Sequence, residues 1–241
     1  MELLVFRLRQ FRRGSPLTLA TQMTQFYTVT RAPESHGPMA FAEPVDPRFE
    51  ATPPKCPKCG AIVANPRWLP PFEVRLENPE AFRDVVSSFI GVELLTSRAL
   101  AESLRRLKGV ECIQAVRVSE IGKKSDCNPS PAIFDVRIVH SHVRVDFDAC
   151  DVSWSSAPDE DYCRYCGPSG GGRNGCYWSV ERLVLDLAQW DAEEIFYPIN
   201  LAGTLVATKT AVQKADLLSF GALSVTPIED YRYVPGPKRS A

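Results

Sequence analysis

The chain has 241 residues, and 44% of them are hydrophobic, which is enough to build a sizeable buried core. Its 28 Lys and Arg residues are balanced by 29 Asp and Glu residues, so a net charge of −1 excludes an overall basic surface for nucleic acid. No apolar run reaches the roughly 18 residues of a membrane span. A total of 8 cysteines is too few for a small disulfide-rich scaffold, so we expect a soluble globular protein.

Residues 1–22 are rich in arginine, and their longest apolar run is only four residues. A signal peptide needs an apolar core of about 7 to 15 residues, so this segment does not resemble one. We expect residues 1–22 to be an N-terminal extension that is disordered or not native. A short amphipathic helix is the alternative, and Met23 is expected to open the native chain.

The elements that follow are short and separated by prolines. Residues 25–29 predict a first strand, and the proline-rich residues 31–55 predict a long loop. Residues 72–76 predict a second strand. Residues 79–89 start with proline and an acidic residue and predict a short helix.

A clearer unit comes next. Residues 91–95 predict a strand, Thr96 or Ser97 a helix N-cap, Gly109 the end of the helix, and residues 110–118 another strand. Between the cap and the glycine, leucines are spaced for one face of a helix: Leu100, Leu104 and Leu107.

The same order of landmarks returns later in the chain. Residues 203–227 again predict a strand, a cap at Thr208, a helix ending near Gly221, and a strand. We infer an internal duplication, with Thr96 and Thr208 both at helix N-caps. Chance similarity is the alternative, because few of the aligned positions are identical and this unit is common.

The sequence therefore predicts an α+β fold with two related β-α-β-type halves, joined through a zinc-ribbon-like site of four cysteines. The expected divisions are a single domain over 23–234, consisting of a first half (23–118), an insert (119–162) and a second half (163–234), followed by a flexible tail (235–241).

The insert contains two predicted strands, 133–140 and 142–147, which could equally be one long bent strand. An acidic stretch follows, without any Lys or Arg from 145 to 163. Such a stretch is usually a solvated face. The other interpretation is a docking surface for a basic partner, centred on Asp159, Glu160 and Asp161.

Two CxxCG motifs carry the strongest chemical signal. Cys56 and Cys59 form the first pair, and Cys163 and Cys166 form the second. Two intervening residues let one tight turn direct both sulfurs at one ion, and tetrahedral zinc takes four such ligands. The glycine after each pair can adopt the positive φ that closes the turn. We predict a structural zinc site with no open position for catalysis.

Other uses of cysteine and histidine are weaker. A redox dithiol normally follows a buried strand, which Pro53 and Pro54 disfavour before the first pair, and a disulfide framework is the third possibility. Cys176 is a plausible substitute ligand. His140 and His142 share one strand face but are expected to have surface or packing roles. The sequence contains no recognised catalytic motif, so we predict a non-enzymatic protein.

These features together resemble the double-CxxCG family of bacterial immunity proteins, known mainly from myxobacteria. The match runs from about Met23 to Tyr233, and the twin CxxCG motifs are its specific signature. The features that carry it are those motifs, Trp68, the unit from 96 to 118, and the Leu-Val-Leu-Asp-Leu run at 183–187.

The resemblance implies a cytoplasmic protein that protects its producer by binding a toxin delivered by sibling bacteria in swarming-inhibition systems. The positions that match the family motif are Cys56, Cys59, Cys163 and Cys166. The family pattern assigns no toxin-contacting residues. We therefore expect a cognate protein toxin as partner, and neither nucleic acid nor membrane.

A zinc-ribbon nucleic-acid binder or transcription-linked adaptor is the alternative function. It would need a basic face around the cysteine pairs, where the sequence offers Lys55, Lys58, Arg67 and Arg164. Four cations there could equally offset the net negative charge of a metal ion bound by four thiolates.

Overall fold

The structure is a computed structural model that describes residues 24–32, 40–88, 94–122, 131–156, 163–167, 176–201 and 203–233, without the side chains of 154–156 and 176–178. Eighteen β-strands and two short α-helices make up most of the regular structure in this part of the chain. The strands are β1 (Phe26–Arg31), β2 (Phe41–Pro44), β3 (Arg48–Phe49), β4 (Trp68–Leu69), β5 (Glu73–Glu77), β6 (Val85–Ser88), β7 (Leu94–Ser97), β8 (Val110–Ile121), β9 (Ile133–Ile138), β10 (His140–Ser141), β11 (Arg144–Val145), β12 (Asp151–Ser156), β13 (Cys176–Glu181), β14 (Leu185–Asp186), β15 (Ile195–Pro198), β16 (Leu205–Thr208), β17 (Leu223–Pro227) and β18 (Arg232–Tyr233). The helices are α1 (Arg98–Leu104) and α2 (Lys209–Lys214).

Six strands form a closed barrel in the order β2-β5-β8-β9-β7-β6. The pairings of β5 with β8 and of β2 with β6 are parallel, and the other pairings are antiparallel. In β5, charged residues alternate with Val74 and Leu76, whose side chains are fully buried. Alternate side chains of a strand point to opposite faces, so this pattern fills the barrel interior. Trp68, Leu95 and Ile133 pack into the same interior.

The second large sheet has the strand order β10-β15-β16-β1-β17. Every residue of β15 and β16 is buried. Ile195 and Leu205 face the core shared with the helices, whereas Phe196 and Val206 pack with Phe26 on the other side. Because both faces are covered, these strands are continuous apolar runs rather than alternating ones.

The two helices pack together between the barrel and this sheet. Leu100 and Leu104 of α1 belong to one core with Ala211 and Val212 of α2. The hydroxyl of Ser103 donates a hydrogen bond to the carbonyl of Ala215, just past α2. The barrel and the five-stranded sheet therefore share one hydrophobic core.

The helix starts match the predicted chemistry, with one change. The Thr208 hydroxyl accepts from the Ala211 N–H at 3.1 Å, as the N-cap prediction requires. In the first unit the cap is Ser97, whose hydroxyl accepts from the Leu100 N–H at 3.3 Å. The prediction of Thr96 as the cap is wrong, because its side chain is buried one residue earlier, in β7.

The two units that prompted the idea of a duplication have similar local connections. In the barrel the order is β6-β7-β9-β8, and in the sheet it is β15-β16-β1-β17. In both, two antiparallel strands lead into a short helix and then into a strand that is separated from the first pair by an inserted strand. The pairings show only this similarity in strand order, and the internal duplication itself stays a prediction.

The predicted α+β fold class is wrong. Strands account for 44% of the structure and helices for 14%, and the barrel is closed. The halves are not joined merely through the four cysteines, because β1 from the first half lies between β16 and β17 of the second. The boundaries 23–234, 119–162 and 163–234 stay a prediction, and residues 1–22 and 235–241 lie outside the described residues.

Smaller sheets surround this body. Strands β12, β13 and β18 form a three-stranded sheet, whereas β11 pairs with β14 and β3 with β4. The predicted strand or bent strand over 133–147 is broken into β9, β10 and β11, which belong to three different sheets. This path carries the chain from the barrel to the region of the cysteines.

No helix in the described ranges has the length and apolar content that crossing a membrane requires.

Candidate metal centre

The four predicted cysteines lie together, and all their sulfurs are within 4.8 Å of one another. The Sγ atoms of Cys56 and Cys163 are 3.9 Å apart, and those of Cys59 and Cys166 are 3.5 Å apart. A tetrahedral ion with bonds of about 2.3 Å places its sulfur ligands about 3.8 Å from one another. A disulfide bond is far shorter, at about 2.05 Å, and these cysteines are free thiols. The cluster can therefore hold a metal ion.

The first cysteine pair lies in a tight hairpin-like turn. Lys55 and Ile62 form an antiparallel bridge, and the Cys56 N–H donates to the Ala61 carbonyl at 2.7 Å. Gly60 closes the turn with a φ of 76°, and its N–H donates to the Cys56 carbonyl at 2.9 Å. The chain leaves this turn through Ile62, which is bridged to Lys55, and not through a helix. The geometry therefore differs from that of a redox dithiol, whose cysteines open a helix.

The second pair lies in a turn of the same kind. Gly167 has a φ of 54°, and its N–H donates to the Cys163 carbonyl at 2.8 Å. The backbone N–H groups of Tyr165 and Cys166 point at the Cys163 sulfur. Such N–H donors spread the negative charge of a metal-bound thiolate. The positive φ expected of the glycine after each pair is found in both turns.

The second turn is fixed to β11 and β14 through Tyr165. The Arg144 guanidinium lies over the Tyr165 ring at 5.5 Å from its centroid, and the Tyr165 hydroxyl donates to Gln189 at 3.0 Å. Arg144 also donates to the carbonyl of Arg164 at 3.3 Å and to the Asp186 carboxylate at 3.1 Å. The cation–π contact of Arg144 and the hydrogen bonds of Tyr165 and Arg164 therefore both hold this turn in place.

The floor of the site comes from the turn between β15 and β16. Ile199 packs with Cys166, whose side chain is fully buried. Next to it, the buried Asn200 side chain accepts from the Val145 N–H and donates to the Val145 carbonyl, both at 2.7 Å. Asn200 thus satisfies both backbone groups of Val145 and holds β11 against the turn. A Cβ added to Gly167 would lie 3.4 Å from the Cβ of Asn200, so the second turn passes close to Asn200.

The proton affinities of the sulfurs differ. Burial opposes ionisation of Cys163, but hydrogen bonds from the N–H groups of Cys166 and Tyr165 outweigh it and lower its pKa to about 7. Burial raises the pKa of Cys166 far above its usual value, and hydrogen bonds to the neighbouring sulfurs add to this effect. Four thiolates cannot coexist so close together without a cation, so binding a metal ion would release protons from the cluster.

The other predicted site residues have different outcomes. Asp159, Glu160 and Asp161 lie outside the described residues, as does the side chain of Cys176. His140 stacks on Tyr197, with 5.2 Å between ring centroids, and burial lowers its pKa. This arrangement agrees with the packing role expected for it.

The cations around the cysteines are partly neutralised. Arg67 pairs with Glu111 at 3.1 Å, and Arg164 pairs with Asp148 at 3.5 Å. These exposed ion pairs lower the net positive charge around the cysteines, but both arginines stay on the surface.

The residues that the sequence analysis missed are the ones that support the cysteines. Arg144, Asp186 and Asn200 belong to short strands or turns far from either CxxCG motif in the chain. Neither spacing nor periodicity connects them to the cysteines. The pairing of β11 with β14 brings Arg144 and Asp186 there, and the hydrogen bonds of Asn200 to Val145 bring the turn after β15, so no local signal could have identified these residues.

A matched pair of substitutions tests the turn geometry. Gly60→Ala is expected to cost about 1 kcal/mol, because its positive φ disfavours a Cβ while nothing lies within 4 Å of that atom. Gly167→Ala is expected to cost about 2–3 kcal/mol, because its Cβ would also meet Phe147 at 3.1 Å and Asn200 at 3.4 Å. Chemical unfolding of the metal-loaded proteins measures both. Equal losses in the two variants would contradict this packing of the second turn.

A comparison of the chain with models of known protein families finds no matching family, and a comparison with curated proteins finds no significant match.

Proposed function

We propose that this protein is a non-enzymatic immunity protein that binds and neutralises a protein toxin from sibling bacteria, and that a zinc ion bound by its four cysteines is structural. The observation that supports the metal site in this proposal is the group of four sulfurs within 4.8 Å of one another. Its members come from two turns more than 100 residues apart, because Cys56 and Cys163 are separated by 107 positions in the sequence. A metal ion there would cross-link distant parts of the chain.

Zinc fits this set of ligands best. Four thiolates in a tetrahedral arrangement suit zinc or iron among the metals common in proteins. Zinc has no redox chemistry and no geometric preference of its own, which suits a purely structural role. Four protein ligands also leave no position for a water molecule, so the proposed ion has no catalytic function. Colourless protein with one equivalent of zinc is the expected result, whereas iron would give coloured protein.

The family resemblance supplies the proposed activity, and the charge distribution supplies a proposed contact surface. The acidic stretch with Asp159, Glu160 and Asp161 is expected to face a basic part of the toxin. Strand β12 leads into this stretch. A surface cleft beside β12 is lined by four acidic residues and only two arginines, a net charge of −2 (4 − 2): Asp151, Glu181, Glu229 and Asp230 with Arg182 and Arg232.

The experiment uses the toxin encoded next to this protein. Titration of toxin activity is expected to show protection that rises in proportion to the added protein, is complete at one protein per toxin, and gains nothing from further protein. Changing Asp159, Glu160 and Asp161 together to Ser is expected to slow association about tenfold at low salt without changing metal content.

The matched control changes three exposed acidic residues that do not line that cleft: Glu43, Glu102 and Glu120, each with about half of its side chain exposed. This control is expected to leave the association rate nearly unchanged. Protection by far less than one protein per toxin would instead indicate catalysis. Salt-sensitive binding to nucleic acid, without a toxin complex, would favour the zinc-ribbon alternative.

A further inference from the structure

The four cysteines of the metal centre differ in their exposure to solvent. Cys59 is exposed and Cys163 is half-buried, whereas Cys56 and Cys166 are buried. The susceptibility of a cysteine to oxidation follows its thiolate character and its exposure. A small oxidant that reaches the centre therefore meets Cys59 before the other three cysteines.

Two thiol–thiol contacts in the centre join one turn to the other. The sulfurs of Cys59 and Cys166 are 3.5 Å apart, and those of Cys56 and Cys163 are 3.9 Å apart. A disulfide bond has a length of about 2.05 Å, so the sulfurs of either pair need to approach by only about 1.5–2 Å to form one. The exposed Cys59 thus has a buried partner in the other turn, and the remaining two cysteines form a second pair of the same kind.

Disulfides between the turns and disulfides within a turn have different effects on the fold. A bond between Cys59 and Cys166, which are 107 positions apart, closes a long loop and keeps the two turns together, as a bound metal ion would. A bond between Cys163 and Cys166 closes only a short loop and leaves the two turns unconnected. Because free thiolates attack disulfides and exchange them, the pairing that supports the folded chain is the one that accumulates.

We propose that the four-cysteine centre is also a site of oxidative modification, at which hydrogen peroxide converts the four thiolates to two disulfides between the turns, Cys59–Cys166 and Cys56–Cys163. The Cys59 thiolate attacks one peroxide oxygen, breaks the O–O bond and becomes a sulfenic acid, while hydroxide leaves. The Cys166 thiolate then attacks that sulfur and expels a second hydroxide. Each disulfide thus takes two electrons from two thiolates and reduces one peroxide.

This proposal rests on the structural metal site of the proposed function, and it is independent of the toxin. It gives the centre two states that hold the same two turns together. In reducing conditions the thiolates bind the metal ion, and in oxidising conditions the disulfides replace it as the cross-link. The chain therefore stays folded when oxidation removes the metal ligands.

Peroxide treatment of the full-length, zinc-loaded protein, followed by non-reducing peptide mapping with mass spectrometry, tests the proposal. The expected result is release of the zinc ion, together with linked peptides for Cys59–Cys166 and Cys56–Cys163. The oxidised protein is expected to keep a thermal midpoint well above that of the reduced protein treated with a chelator. Cys112→Ser changes a half-buried cysteine of β8 outside the centre, and this matched control is expected to change neither the zinc release nor the linked peptides.

Two double variants test the pairing without a metal ion. Cys56→Ser combined with Cys163→Ser leaves the pair between the turns, and peroxide is expected to raise its thermal midpoint. Cys56→Ser combined with Cys59→Ser leaves the pair within the second turn, and peroxide is expected to leave its midpoint nearly unchanged. Each variant is compared with its own reduced form, so the loss of the metal ion from both does not affect the comparison.

The mapping of the unaltered protein decides the proposal even if a double variant does not fold. Linked peptides for Cys56–Cys59 and Cys163–Cys166 would overturn it, and so would sulfinic acids in place of disulfides. Purified protein without zinc would contradict the structural metal site of the proposed function. Mapping of the reduced, metal-free chain after peroxide treatment would then still decide the pairing, so the two failures are distinguishable.

Discussion

Cys166→Ser is expected to destabilise this protein more than any other single substitution. Cys166 is fully buried, and its sulfur lies 3.5 Å from that of Cys59 in the four-cysteine cluster. A structural zinc site of this kind contributes on the order of 10 kcal/mol to folding, which is comparable to the whole stability of a typical domain. We expect the variant to lose its metal ion and to be largely unfolded at 37 °C. Circular dichroism during thermal unfolding, together with elemental analysis, measures both effects.

A matched cysteine substitution separates the metal from general effects. Cys112 lies in β8, half-buried, and its sulfur accepts a hydrogen bond from Gln114 at 3.3 Å. Cys112→Ser is expected to keep one metal ion per chain and to cost about 1 kcal/mol or less. Treatment of the unaltered protein with a strong chelator is expected to reproduce the effect of Cys166→Ser. A Cys166→Ser protein that keeps its metal ion and its stability would show that the four-cysteine cluster neither binds the metal ion nor stabilises the fold.

The second large effect is expected at a buried ion pair of strand β9. Asp135 has 1% of its surface exposed, and its carboxylate lies 3.5 Å from the Arg137 guanidinium. The other carboxylate oxygen is buried without a hydrogen bond, so Arg137 provides the main compensation for the charge. Arg137 also donates to the Trp68 carbonyl and lies 5.6 Å from the centroid of the Phe72 ring. Arg137→Met is expected to cost about 3–5 kcal/mol, because it leaves a charge buried and unpaired.

The pH dependence of this loss has a definite sign. Burial raises the pKa of Asp135, and Arg137 opposes that rise. A carboxyl whose pKa is raised by folding contributes stability at low pH and loses it as pH rises through the folded pKa. Without Arg137 this pKa rises further, so the deficit of the variant is expected to be largest at neutral pH and to shrink as acid neutralises Asp135. Urea unfolding of both proteins at several pH values measures the difference.

Two controls test the explanation. Asp135→Leu combined with Arg137→Met removes both charges and is expected to be more stable than Arg137→Met alone. Arg105→Met breaks the exposed pair of Arg105 with Glu102, whose side chains are each 55% exposed, and is expected to cost less than about 1 kcal/mol. A double variant less stable than Arg137→Met would show that packing, and not the unpaired charge, causes the loss.

The sequence was most informative where the chemistry is local. Two cysteines separated by two residues and followed by a glycine almost dictate a turn with both sulfurs on one side. The positive φ of Gly60 and Gly167 was therefore predictable. The hydroxyl cap at Thr208 and the helix after it were predictable for the same reason, because every contact involved lies within a few residues.

The sequence was misleading where distant pairing decides the structure. Residues 79–89 have an acidic start and predict a helix, but the structure has a single 3-10 turn at Pro79–Ala81 followed by β6. The β-branched Val85 and Val86 pair there with Thr96 and Leu95 of β7. The competing strand partner overrides a weak local preference for helix.

The barrel itself could not be inferred from any local pattern. It closes through the parallel pair of β2 with β6, and β5 pairs in parallel with β8. Parallel pairs join segments with long connections and have no turn signature in the sequence. The insertion of β1 between β16 and β17 likewise joins residues about 200 positions apart, such as Thr28 and Thr226, which are 198 apart. Because of these pairings, the predicted halves share one sheet, and the observed fold is rich in strands rather than two separate β-α-β units.

X-ray absorption spectroscopy at the zinc edge, on protein purified without added metal, tests the central claim most directly. The account predicts one zinc ion per chain with four sulfur neighbours at about 2.3 Å and no nitrogen or oxygen neighbour. A first shell with fewer than four sulfurs, or with a nitrogen or oxygen ligand, would contradict a closed site formed by Cys56, Cys59, Cys163 and Cys166.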